Sequence, residues 1–290
     1  MLAIVPQLVA NGLIQGILIA VLALGFALPY AIRDNFNLVH LFLWVVNGYL
    51  LWLAMLALPT PLGILGVLFF GIVLSALMGA ALVTGIYLPL QRRGTTDIFI
   101  PSLALLIIGQ SIFAIAFGPT PKLFNLGDAF GRTTAVVLGS VYIEPYQLLF
   151  LALSLPMLAL CIVWLKLSKQ GKLIAALVQN RDLAVIVGID TRALTIIGYM
   201  IGSALLPPAA IAMSGSSGVG PYVGLGEFIL AIAAALAAPV GNFLTVIFLA
   251  LALGLFREVS LLWIPGQWQT TFALVAVMIM ITIPRRSRTT

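Results

Sequence analysis

An all-α polytopic membrane protein is the fold class this sequence predicts, and three observations predict it. Of 290 residues, 62% are hydrophobic and only 8% are charged. The mean hydropathy is +1.21. The apolar residues also form long continuous runs, such as 41–58 and 148–165. A soluble domain carries about 25% charged residues and could not cover its surface with so few. Lipid accepts such a chain only if backbone groups pair internally, which leaves helices or a closed barrel. A barrel strand would alternate polar and apolar residues over about 10 positions. These runs do not alternate, so helices are expected.

Spanning needs roughly 20 apolar residues per helix. Eight long apolar segments meet this, at about 8–30, 38–58, 62–88, 98–117, 147–165, 194–213, 228–256 and 267–284. The first is too long for a signal-peptide core and has no basic region before it, so it reads as a retained helix. No soluble domain is apparent, and residues 1–290 read as one transmembrane domain.

Two long loops remain, about 118–146 and 166–192. The second holds Lys166, Lys169, Lys172, Arg181 and Arg192 against Asp182 and Asp190, so it should be cytoplasmic. Arg92 and Arg93 put the 91–97 loop on the same side, two segments away. Arg285, Arg286 and Arg288 should be cytoplasmic too, yet three segments separate them from the basic loop. One more crossing repairs the parity. Pro239-Val240-Gly241-Asn242 interrupts the 228–256 segment, and proline and glycine together break helices. The break is expected inside the bilayer, buried by protein. Arg33-Asp34-Asn35-Phe36-Asn37 is a matching polar stretch early in the chain, and Asn47-Gly48 reads as interrupting the second segment. Discontinuous helices at corresponding places suggest two inverted repeats around a midplane path. An ordinary loop plus a kinked helix accounts for the same residues.

Several function classes are excluded by what the chain lacks. It has one histidine, His40, one cysteine, Cys161, and eight scattered acidic residues. These make no metal constellation and no internal disulfide. No Gly-rich phosphate loop occurs, so the chain has no means of hydrolysing a nucleotide itself. No catalytic residue and no cofactor are expected. The net charge of +6 comes from membrane-flanking bases and is no sign of nucleic acid. An ion-coupled secondary transporter would normally show intramembrane carboxylates. Here Glu227 and Glu258 fall at segment ends.

The basic loop is the most informative stretch. From Ala175 to Val178 a short amphipathic helix begins. Gln179, Asn180, Arg181 and Asp182 give it a polar side, Leu183 to Ile186 an apolar side, and Gly188 a C-cap. A short helix between spans can dock in a groove on a soluble partner. The alternative is a basic loop that only sets topology.

Ser168, Gly171, Lys172, Gln179, Asn180, Gly188, Ile189 and Asp190 fit a pattern S-x-x-G-[RK]-x(5)-A-[QE]-[ND]-x(6)-L-G-I-[ND], with Val178 and Val187 departing from it. Asn11-Gly12, Gly16, Ala23-Leu24-Gly25, then Asn37 and His40, then Gly202-Ser203-Ala204 and Gly220-Pro221-Tyr222-Val223-Gly224 follow in order. Ala238-Pro239-Val240-Gly241-Asn242 and Thr271-Phe272-Ala273-Leu274 complete the series. Through these residues the chain resembles the membrane permeases of branched-chain amino acid ABC importers, of the leucine/isoleucine/valine high-affinity type. Urea-type importers share the pattern, which leaves urea or short amides as an alternative cargo.

The resemblance implies a multi-pass inner-membrane permease subunit without catalysis. Its implied partners are ABC ATPase subunits, a sister permease (a copy or a homologue), a solute-binding protein and membrane lipid. It makes the segment around Gln179, Asn180, Arg181, Asp182 and Gly188 the coupling element toward the ATPase. It places Asn37, His40, Pro221, Pro239 and Gly241 at the translocation path or at helix breaks. Asn37 and His40 share a helical face at a spacing of three, and either line the path or brace a bend. Pro207-Pro208 replaces a small-residue stretch of the family and should kink or end a helix. Leu244, Val246 and Phe248 stand where the family has glycines, which weakens close helix approach there.

Overall fold

The structure, a computed structural model, describes residues 4–92, 98–124, 126 and 136–282. Its helices are α1 (Val5–Arg33), α2 (Val39–Ala57), α3 (Pro61–Leu82), α4 (Leu88–Arg92), α5 (Phe99–Phe117), α6 (Pro145–Leu167), α7 (Lys169–Gln179), α8 (Arg181–Ile186), α9 (Thr191–Ala204), α10 (Leu206–Ser216), α11 (Leu225–Ala237), α12 (Phe243–Val259) and α13 (Gln269–Thr282). A π-helical turn, Val83–Tyr87, joins α3 to α4. A hairpin of β1 (Val136–Leu138) and β2 (Val141–Ile143) precedes α6. Among the described residues, seven helices are long and apolar enough to cross a membrane. The protein is thus the all-α polytopic membrane protein its composition predicts.

The helix starts follow capping chemistry. Thr60 Oγ1 accepts from Gly63 N at 3.1 Å, with Pro61 in the first turn of α3. Ser168 caps α7 through Gly171 N at 2.9 Å, and Asn242 caps α12 through Thr245 N at 3.2 Å. Each satisfies a donor that the first turn leaves free. Pro207 and Pro208 end α9 and open α10, where a missing N–H costs nothing.

α1 is the hub. Its span is 89% buried, against 17% for α5 and 28% for α6, so α1 is enclosed by the other helices while those two face outward. Glycines let its backbone meet its neighbours. A Cβ on Gly16 would lie 2.8 Å from Leu251 Cα, and one on Gly254 would run into the Gly16 backbone. Further along, Gly25 and Gly202 pack backbone to backbone, joining α1 to α9. Such small-residue contacts are how helices associate where lipid removes the hydrophobic drive.

Two ends can be told apart. At one, Arg33 donates from Nε to Thr195 Oγ1 and from Nη1 to Gln91 Oε1, both at 3.0 Å, which gathers the ends of α1, α4 and α9 around the basic α7–α8 segment. At the other, Gln7 Nε2 donates to Tyr142 O (3.0 Å) and Tyr142 N to Gln7 Oε1 (2.7 Å), docking the hairpin on the start of α1. The tail with Arg285, Arg286 and Arg288 lies outside the described residues, as do Arg93 and Asp97.

The 228–256 segment does break as expected. α11 ends at Ala237, Gly241 takes φ +81°, and α12 begins at Phe243. Glu227 in the first turn of α11 pairs with Arg257 in the last turn of α12 at 3.1 Å, so the two helices run antiparallel. The break therefore supplies the extra reversal of direction that the charge pattern demanded. It is not buried, however: residues 239–242 are all exposed, and Gly241 packs on Val178 of α7, at the basic end. The polar 34–38 stretch lies at that same end, beside Arg33.

A second expectation fails at Asn47-Gly48, where α2 runs on unbroken. The Asn47 carboxamide donates to Leu43 O (2.7 Å) and to Ser75 Oγ (2.8 Å), so its polarity is satisfied without opening the helix. The irregular backbone at depth is instead the stretch between α10 and α11. Val219 is buried against Gly48, near the midpoint of α2, and exchanges two backbone hydrogen bonds with Lys122, at 2.7 and 3.0 Å. Non-helical backbone persists inside a membrane protein only where protein buries it this way.

The glycine contacts yield a prediction. Gly254→Val should cost about 1–3 kcal/mol, the usual penalty for overpacking, and lower the melting temperature by several degrees. Gly66→Ala, on the open face of α3 with nothing within 4 Å, should change it by less than about 1 °C. Scanning fluorimetry in detergent reads both. Equal effects would refute the close approach of α1 and α12.

Candidate functional site

The basic segment is built of two helices rather than the single one expected over 175–188. Asn180 leaves the helical conformation with ψ +99°, ends α7 and caps α8 by accepting from Leu183 N at 2.9 Å. An asparagine gains more as a cap than inside a helix, which is why the chain breaks there. At the far end of α8, Gly188 has φ +86° and donates to Val185 O, while Ile189 N donates to Ala184 O, each at 3.0 Å. This pair of bonds is a Schellman motif, with glycine at the left-handed position. Asp190 then caps α9 through Arg192 N (2.9 Å) and Ala193 N (3.0 Å). The turns between α7, α8 and α9 are thus fixed by local hydrogen bonds.

α7 is anchored and α8 is not. In α7, Gly171, Ile174 and Leu177 are buried, and Gly171 sits tight against the Leu165 backbone. In α8 only Ala184 is buried. Leu183 and Val185 are each 55% exposed, Ile186 is 80% and Val187 72% exposed, with Arg181 and Asp182 beside them in the open. An apolar cluster of this kind lies uncovered at the basic end. Gln179 and Asn180 are also exposed.

Asn37 and His40 belong to a different place, the buried junction between α1, α2, α3 and α9. Asn37 lies outside the helix, in the turn before α2. Its Nδ2 donates to His40 Nδ1 at 2.7 Å, which leaves the ring proton on Nε2, against the backbone of Gly25 and Gly202. Its Oδ1 accepts from Tyr87 OH at 2.8 Å and from Val39 N at 3.2 Å. Tyr87 packs edge-on to Tyr199 of α9, with centroids 5.6 Å apart. Ser102 Oγ accepts from Leu38 N (3.3 Å) and shares its one proton between Phe36 O (3.0 Å) and Phe99 O (2.8 Å), tying α5 to the same turn.

The residues expected at the path or at breaks are not gathered into one site. Asn37 and His40 are together in this polar junction. Pro221 is buried in the irregular stretch before α11. Pro239 and Gly241 are exposed, and Gly241 touches α7 through Val178. Sequence reasoning missed Tyr87 and Tyr199, because aromatic residues in an apolar run read as apolar. It also missed the Arg33–Gln91–Thr195 link, although a lone Arg at the end of a span is a visible signal. Among the described residues, no three His, Cys, Asp or Glu side chains come together as a metal site.

Comparison with known proteins agrees with this architecture. The family model described as the branched-chain amino acid transport system permease component matches residues 8–284. The high-affinity branched-chain amino acid transport system permease protein LivH of Escherichia coli (strain K12) is 23% identical over 289 residues, covering 95% of this chain and 92% of its own. LivH of Salmonella typhimurium is 22% identical over 294 residues with the same coverage. BraD of Pseudomonas aeruginosa is 23% identical over 247 residues, covering 81% of this chain and 80% of its own. No solved structure matches the chain significantly. With seven span-length helices among the described residues and a match over nearly its whole length, the chain belongs to the family of branched-chain amino acid transport system permease components.

Proposed function

We propose that this chain is one membrane half of an ATP-driven importer that moves branched-chain or related hydrophobic amino acids across the inner membrane. A second permease chain, a copy or a homologue, completes the pathway. ATPase subunits supply the hydrolysis that this chain has no motif for, and a solute-binding protein delivers cargo at the hairpin end. Lipid surrounds the outward faces of α3, α5 and α6.

The observation that carries this reading is the uncovered apolar face of α8, rimmed by Arg181 and Asp182 and framed by the Asn180 cap and the Gly188 turn. An exposed apolar cluster on a short, well-capped helix is a docking element for a groove on a partner. Motion has a physical route inward from it. α8 is joined to α7, α7 bears on Gly241 at the start of α12, and α12 is interlocked with α1 at Gly254. A push on α8 by closing ATPase subunits therefore reaches the hub helix through the Val178 side chain on Gly241 and the close backbone packing at Gly254. ATP must favour one arrangement through differential contacts for that push to shift the population. Asn37, His40 and Tyr87 brace the turn at the inner end of α1.

Gly188→Val tests the docking. A Cβ at Gly188 would meet nothing within 4 Å, so the cost is one of backbone conformation alone, about 1 kcal/mol or more at this positive φ. The variant should insert in the membrane normally yet retain less ATPase on co-purification, and Arg181→Glu should weaken the retention too. Retention equal to the parent in both would remove the assignment.

The basic end should face the cytoplasm, and the arginine tail with it. A C-terminal reporter active only outside the cytoplasm should give no signal. Strong signal would reverse the orientation.

A further inference from the structure

Beside the α7–α8 segment lies a groove of about 280 Å³, bordered by Gly241. Its walls are the end of α6 (Ile162, Leu165), one side of α7 and the start of α12 (Phe243, Leu244). Lys166 and Lys172 line it, and both are exposed. Neither ammonium has an ion-pair partner among the described residues. Asn242 also lines the groove, but its carboxamide is committed to capping α12. The charged groups of the groove are therefore two uncompensated cations over an apolar floor.

The groove's position selects its occupant. Lys166 is in the last turn of a membrane span, and Lys172 is on the helix that folds back beneath it. The apolar wall continues along α6 onto Leu160 (69% exposed) and Val163 (50% exposed), which face outward at span depth. A ligand that fits carries negative charge at one end and hydrocarbon at the other. Basic pockets between helices on the cytoplasmic side bind the headgroups of anionic lipids in this way. We propose that this groove is a binding site for an anionic phospholipid, its phosphate between Lys166 and Lys172 and its acyl chains along α6 and α12.

The site would have a consequence for coupling. The lipid would bridge α6, α7 and α12 where Gly241 packs on Val178, and so hold α7 against the start of α12. Lys169 is on the same helix, carries the same charge and does not line the groove, so it separates site binding from bulk attraction.

Native mass spectrometry of the purified full chain, with added phosphatidylglycerol or phosphatidylcholine, tests the proposal. Phosphatidylglycerol should be retained and phosphatidylcholine should not. Lys166→Gln and Lys172→Gln should each lower occupancy about fivefold, and together about thirtyfold, while Lys169→Gln should leave it within about twofold. Circular dichroism and monodispersity confirm that each variant is folded. Equal retention of both lipids, or equal losses in all three lysine variants, would overturn the site. Displacement of the lipid by millimolar inorganic phosphate would show a free-anion site and overturn the lipid assignment. Loss of lipid on adding a purified ATPase partner would show that the groove belongs to the protein interface, and would overturn it too.

Discussion

The fold depends on how closely α1 can approach its neighbours. Gly12 and Gly16 admit α12 at Leu251, Gly254 and Leu255, and Gly25 admits α9 at Gly202. A Cβ at these crossings would meet backbone, which cannot rotate out of the way as a side chain can. In lipid, helices gain little by hiding apolar surface from one another, so packing at short range and backbone contact must supply the association. Held on both sides, α1 fixes where α9 and α12 stand. Those two helices hold the α7–α8 segment between them, α9 by direct continuation and α12 through Gly241 on Val178. The mechanical proposal is a consequence of this enclosure.

The polar groups obey a complementary constraint. Every irregular stretch that enters the interior brings its own partners. The 34–38 turn is held by Asn37, His40, Tyr87 and Ser102. The stretch around Val219 is held by a two-bond exchange with Lys122. Arg257 and Glu227 share a partly buried ion pair where α11 and α12 meet at the hairpin end. Lys166, Lys172 and the apolar face of α8 lie exposed at the basic end.

Much of this was legible in the sequence, for physical reasons that can be named. Pro239 with Gly241 announced a break, because one removes a donor and the other frees the backbone. Gly188 announced a helix end. Pro207-Pro208 announced the change from α9 to α10. Asn180 was misread as part of one helix, although asparagine followed by Arg181-Asp182 is an N-cap with an acidic first turn. Asn47 was misread the other way, since nothing local shows that Ser75 stands opposite it. Depth was not legible at all. The 239–242 break reads as buried from its apolar flanks, yet it is exposed, while the stretch around Val219 is buried, because burial is decided by distant partners such as Gly48 and Lys122. For the same reason, Gly12 and Gly16 were legible only as residues of the family pattern, and their partner Gly254 was not legible at all.

Uptake of labelled leucine into proteoliposomes holding this permease, its partner permease, the ATPase subunits and the solute-binding protein tests the central claim most directly. The account predicts accumulation that requires ATP on the side of the basic end, requires the binding protein on the other, and persists when proton and sodium gradients are collapsed. Accumulation without ATP that follows an imposed ion gradient would contradict it.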